Sequence, residues 1–88
     1  MRQELMQTIP VNGERLRAYR QKKLVEKKPM TQVQLSAAAN VSRSYIAEIE
    51  KGLKQPSFLV ADALAEALDI TVDDLVSTKV LRPSDPAT

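Results

Sequence analysis

The sequence contains no cysteine, no histidine and no tryptophan. Without cysteine there are no disulfides and no thiolate nucleophile. Without histidine as well, the usual zinc ligands and the imidazole base are gone. No metal site and no cofactor is therefore expected. Carboxylates are present, but none is paired with a base or a metal cluster, so an enzyme is not expected either. Small secreted domains usually need disulfide staples, which makes a cytoplasmic protein the expectation. Aromatic residues are scarce (Tyr19, Tyr45 and Phe58), so the core must be aliphatic. No apolar run approaches the ~20 residues that a membrane span needs, and the first residues lack the apolar stretch of a signal peptide. Strand signals are also missing: no segment of useful length alternates apolar and polar residues.

What remains is one small domain's worth of chain, 88 residues, with little room for an enclosed active site. Its net charge of +2 conceals an asymmetry. Residues 13–56 hold ten Lys or Arg against four Asp or Glu, a net +6, whereas residues 57–88 hold two against six, a net −4. A basic half joined to an acidic half suggests that one side meets a polyanion. On charge alone, two solvated surfaces explain the pattern equally well.

Helix starts recur. A hydrophobic staple joins the residue before an N-cap to the residue five positions later. Val11-Asn12 with Leu16, Met30-Thr31 with Leu35, Val41-Ser42 with Ile46, and Ile70-Thr71 with Leu75 all fit that template. Thr31 has Gln34 and Thr71 has Asp74 three residues on, which completes a capping box and an acidic variant of one. A fifth start is Ser57 behind Pro56. The predicted helices cover about 13–23, 32–39, 43–51, 58–68 and 72–76. The first turns Leu16, Tyr19 and Leu24 inward, and the third ends at Gly52, a good residue to follow a helix. Residues 1–10 read as an N-terminal extension, 11–76 as the domain, and 77–88 as a C-terminal tail, where Pro83 and Pro86 argue against a long final helix. The expected class is all-α.

Only Asn40, Val41 and Ser42 separate the second and third helices, a helix-turn-helix spacing. Asn40 is the expected pivot, because asparagine tolerates the left-handed conformation best after glycine. In the third helix Ile46 and Ile49 share one face, with Val41 just ahead. Arg43, Ser44, Ala47 and Glu48 lie on the other, where a helix in the major groove meets bases. Arg43 suits the O6 and N7 of guanine, and Glu48 suits the amino group of cytosine. The alternative for Glu48 is a helix-surface pair with Lys51.

Residues 31–76 resemble the phage repressor and Cro-like family, also called Xre-type. The likeness rests on Thr31-Gln32-Val33-Gln34-Leu35-Ser36-Ala37-Ala38-Ala39-Asn40-Val41-Ser42-Arg43-Ser44-Tyr45-Ile46-Ala47-Glu48-Ile49-Glu50-Lys51-Gly52, then Pro56-Ser57, Ala65-Glu66-Ala67-Leu68 and Asp73-Asp74-Leu75. Gly13-Glu14-Arg15-Leu16-Arg17-Ala18-Tyr19-Arg20 is similar to the family's first helix. The resemblance implies a compact five-helix domain that binds operator double-stranded DNA, usually as a homodimer, and regulates transcription, as a repressor in the first instance. It implies base reading by Arg43, Ser44 and Glu48. Backbone contacts fall to Gln32, Ser42, Tyr45, Lys51, Lys54 and Gln55. Arg20 and Glu50 match an ion pair that ties the first helix to the third. Two alternatives stand beside this reading: the antitoxin of a toxin–antitoxin pair, and a protein–protein interaction module on the same fold.

The chain departs from the pattern at four places. Asn40 stands where the family usually has Gly, and Ser36 where it usually has Ala. Asp62 and Leu59 exchange the usual apolar and polar positions of the fourth helix, which suggests Leu59 for a dimer patch. The connector after Arg20 is longer than usual and carries Lys22, Lys23, Lys27 and Lys28, either as added phosphate contacts or as a solvated loop.

Overall fold

The structure is a computed structural model, and it describes residues 8–76. The segments 1–7 and 77–88, including most of the expected N-terminal extension and the whole C-terminal tail, lie outside the described residues.

Five helices form where the caps direct them. They are α1 (Gly13–Lys22), α2 (Gln32–Ala39), α3 (Arg43–Glu50), α4 (Phe58–Ala67) and α5 (Val72–Leu75). Asn12 caps α1 by accepting the backbone N–H groups of Glu14 and Arg15. The hydroxyls of Thr31, Ser42, Ser57 and Thr71 cap the other four in turn. The capping boxes at Thr31–Gln34 and Thr71–Asp74 are both closed. Each cap satisfies donors that the first helical turn leaves unpaired and contributes about 1 kcal/mol. Four of the helices end one residue earlier than the sequence reading placed them, because Lys23, Lys51, Leu68 and Val76 serve as C-caps.

The staples are also the core. Leu16, Leu35, Ile46 and Leu75, the staple residues inside α1, α2, α3 and α5, are fully buried. Ile49 and Leu64 are the other fully buried Leu and Ile side chains among the described residues. Burial of one such side chain stabilises the fold by roughly 1.5–3 kcal/mol. Around this centre α2 packs against α3 and α4, while α1 packs against α3 and α5.

Three helix ends need a left-handed residue. Asn40 adopts φ 59° and ψ 44° as the pivot between α2 and α3. Gly52 takes φ 80° after α3; its N–H donates to Ile49 and that of Leu53 to Glu48, which closes the last turn as a Schellman motif. Asp69 does the same after α4, at φ 61°.

Two features correct the sequence reading. The connector is not an unstructured loop but a hairpin, in which β1 (Leu24–Val25) pairs antiparallel with β2 (Lys28–Pro29). Its two-residue tip, Glu26 and Lys27, has φ of 53° and 71°, the pattern of a type I′ turn. The all-α description therefore holds for the body of the domain, with one small sheet added. Leu24 does not extend the inner face of α1. It lies beyond the helix end, on β1, and is 63% exposed.

The second feature is a strap ahead of α1. Thr8 bridges to Ser57 and Val11 to Val76. The Ile9 N–H donates to Pro56 O at 2.8 Å, and that of Asn12 to Leu75 O at 2.7 Å. The domain is thus anchored from Thr8 onward.

Candidate nucleic-acid interface

The turn at Asn40 fixes α3 against α2 and leaves the outer face of α3 open. Its inner face is committed to the core by Ile46 and Ile49. Arg43 and Ser44 are exposed in its first turn, and Glu48 is half-buried one turn on. The three expected base-reading residues therefore share one surface.

Beneath them runs a connected polar chain. Arg20 is buried on α1. Its Nε donates to Glu50 Oε2 at 2.7 Å, its Nη2 to Glu50 Oε1 at 3.1 Å, and its Nη1 to Met30 O at 2.8 Å. This is a bidentate, charge-assisted pair with the third guanidinium nitrogen also engaged. Gln32, at the start of α2, donates from Nε2 to the same Glu50 Oε1 at 3.0 Å. Its own carbonyl oxygen accepts from Arg43 Nη1 at 3.2 Å. The exposed guanidinium of Arg43 is thereby tied, through Gln32 and Glu50, to a buried arginine on another helix. A side chain held this way loses less rotamer freedom on binding than a free one.

A family model described as helix-turn-helix matches residues 16–75, from within α1 to the end of α5. The chain belongs to the phage-repressor and Cro-like helix-turn-helix family. It is 39% identical over 75 residues to an immunity repressor protein of Bacillus phage phi105, covering 85% of this chain and 49% of that protein. The chain thus spans about half the length of this curated relative. Two solved structures are similar. The restriction-modification controller protein C.AhdI from Aeromonas hydrophila is 32% identical, with a TM-score of 0.63, over 70% of this chain and 86% of that one. A chain of the SinR–SinI protein complex is 26% identical, with a TM-score of 0.67, over 85% of this chain and 69% of that one.

In this helix-turn-helix domain the remaining expected contact residues divide by their local ties. Ser42 Oγ accepts the Tyr45 N–H at 3.0 Å as the α3 cap, and its hydroxyl hydrogen is left to donate outward. Tyr45 is half-buried against the core. Lys51 and Lys54 are exposed. Glu48 faces Lys54, at 3.8 Å, rather than Lys51, because the chain turns back at Gly52 and brings the following loop over α3. Gln55 uses its amide oxygen to accept the Val11 N–H at 2.9 Å, which leaves its amide nitrogen as the outward donor. Of the connector lysines, Lys23 is paired with Asp69 at 2.5 Å and Lys22 lies over the Tyr19 ring. Lys27 and Lys28 are exposed on the hairpin. On α4, Asp62 is exposed and Leu59 is 55% exposed, beside Phe58 and a short loop from Leu53.

One residue at this face was missed by the sequence reading. Arg17 is exposed on α1 and lines a pocket with Arg20, Gln32, Ala47, Glu50 and Lys51. It lies one residue past Leu16, where the helical periodicity alone reads it as solvated surface.

Proposed function

We propose that this chain is a sequence-specific DNA-binding regulator, acting as a repressor, which places α3 in the major groove of operator DNA. The observation that carries the reading is the tie from Arg20 through Glu50 and Gln32 to Arg43. A buried ion pair anchors an exposed guanidinium at the start of the helix that the turn presents, and a bidentate fork of this kind matches guanine O6 and N7. Ser44 and Glu48 read neighbouring positions. Gln32, Ser42, Tyr45, Lys51, Lys54 and the amide nitrogen of Gln55 hold the phosphate backbone and set the register of α3. The likeness to a phage immunity repressor and to a controller protein supports the regulatory role. Half-site reading calls for a homodimer, and Leu53, Phe58 and Leu59 supply an apolar patch for it.

The test is fluorescence anisotropy of a labelled duplex across a salt series. Wild type binds with a steep salt dependence. Arg43→Ala lowers affinity by about 1–3 kcal/mol at a selected site and little at a random one. Gln32→Ala weakens binding to both. Absence of binding at low salt refutes the reading.

A further inference from the structure

Packing and capping fix the identities of two adjacent residues, Asn12 and Gly13. Gly13 opens α1 against the last turn of α3, where a Cβ would meet main chain at Glu50 O (2.5 Å) and Glu50 C (2.8 Å). A side chain there has no room. Position 12 must cap α1, and Asn12 does so through its Oδ1, which accepts the Glu14 N–H at 2.9 Å and the Arg15 N–H at 3.2 Å. The fold therefore juxtaposes an asparagine and a glycine, a dipeptide with a reaction of its own in water. No side chain shields the Gly13 nitrogen, and its attack on the Asn12 side-chain amide carbon closes a five-membered ring.

In the native chain that ring cannot close. Closure eclipses the Asn12 Cβ with the Gly13 nitrogen about the Cα–C bond and needs a negative ψ, whereas Asn12 holds ψ at 110°. Rotation is opposed on every side. Oδ1 is committed to the cap, the Asn12 N–H donates to Leu75 O at 2.7 Å, and the Asn12 carbonyl accepts the Leu16 N–H at 3.0 Å. Freeing them means lifting the start of α1 away from α3 and α5.

We propose that Asn12 is a site of spontaneous deamidation controlled by the fold: it reacts only in molecules whose α1 has lifted at its start, and its isoaspartyl product cannot settle back. Hydroxide takes the Gly13 amide proton. The Gly13 nitrogen bonds to Asn12 Cγ, the Cγ–Nδ2 bond breaks, and the side-chain amine leaves as ammonia with a proton from water. Water then opens the succinimide at one of its two carbonyls. Opening at Cγ leaves aspartate, which caps a helix as well as asparagine does and carries a charge that suits a helix N-terminus. Opening at the main-chain carbonyl leaves isoaspartate. The backbone then runs through Cβ and Cγ and is longer by one methylene, and the carbonyl that held the Leu16 N–H becomes a free carboxylate. That extra length falls directly before Gly13, where not even a Cβ fits against Glu50. The isoaspartyl chain therefore loses the close approach of α1 to α3.

The experiment ages the full chain at mildly alkaline pH, in native buffer and in unfolding urea. Isoaspartate is read by enzymatic methyl transfer and located by peptide mass spectrometry. Asn40, the only other asparagine, precedes the branched Val41 and serves as the internal control. At position 12 the native rate should be slower than the unfolded rate by about tenfold or more, because only the open fraction reacts. Equal rates in the two conditions, or no isoaspartate at position 12 in urea, overturn the proposal. The isoaspartyl form made in urea is then isolated by chromatography and returned to native buffer, beside Asn12→Asp. The isoaspartyl form should melt below wild type, and Asn12→Asp at the wild-type temperature or above. An isoaspartyl form that melts with wild type also overturns the proposal, since the lengthened backbone would then fit.

Discussion

Gly13→Ala is the change whose sign most directly tests the packing. Gly13 opens α1 in a helical conformation, and glycine there is normally inferior to alanine by about 0.5–1 kcal/mol. Propensity therefore predicts a more stable variant. The structure predicts the reverse. A Cβ at this position would meet the last turn of α3 at the Ile49 carbonyl oxygen, at Glu50 O (2.5 Å) and at Glu50 C (2.8 Å). A normal carbon contact needs about 3.5–4.0 Å, so α1 and α3 would have to separate by about 1 Å. The obstructing atoms are main chain and cannot rotate away. The turn they belong to is held by Ile49 in the core and by Glu50 on Arg20. Overpacking of this kind costs about 1–3 kcal/mol, and rigid neighbours place Gly13 at the upper end. After the propensity gain, a net loss of about 2 kcal/mol remains. At about 4–8 °C per kcal/mol for a domain this size, Tm should fall by about 8–16 °C in a thermal melt followed by far-ultraviolet circular dichroism. A Tm equal to or above wild type would refute the close approach of these two helices.

Two further outcomes follow from the polar chain and the hairpin. Arg20→Met strands the buried Glu50 carboxylate and should cost about 3–5 kcal/mol in urea unfolding, whereas Arg20→Met with Glu50→Leu should recover most of it; equal losses in the single and double variants would contradict the pairing. Replacing the hairpin tip by Glu26→Asn with Lys27→Gly relieves two side chains held at positive φ, each at a cost of about 1 kcal/mol. Tm should rise by several degrees, and a fall would argue against a type I′ turn.

The parts of the fold legible in the sequence are those written in local chemistry. A cap and its staple span only a few residues, so Asn12, Thr31, Ser42, Ser57 and Thr71 announced all five helices, and the staple partners Leu16, Leu35, Ile46 and Leu75 turned out to lie in the core. Asn40 was legible for the same reason. The hairpin was not, because its tip carries Glu and Lys instead of the Asn-Gly or Asp-Gly that usually marks such a turn, and two-residue strands are too short to alternate. Leu24 was misplaced with it. The strap was equally silent, since its partners at Pro56, Leu75 and Val76 are far away in sequence. At the candidate site, the open face of α3 was readable from helical spacing, and the Arg20–Glu50 pair from family likeness. The double use of Gln32, the inward tie of Gln55 and the place of Arg17 depend on how three helices meet, which no local pattern encodes.

The strap also sets an order of events. Helices α1 to α4 join near neighbours in sequence, and such contacts close quickly. The links from Val11 and Asn12 to the end of the domain must wait for the rest of the chain, because they close the longest loop among the described residues. The four-residue α5 is too short to persist alone, and it relies on Asn12 and on Arg15, whose Nε donates to Asp74 O at 2.8 Å. The strap and α5 are thus a latch fastened last and opened first. Strengthening it would slow unfolding while leaving the speed of folding nearly unchanged. The lifetime of the folded domain is therefore governed at its two ends, remote in sequence from the turn that presents α3.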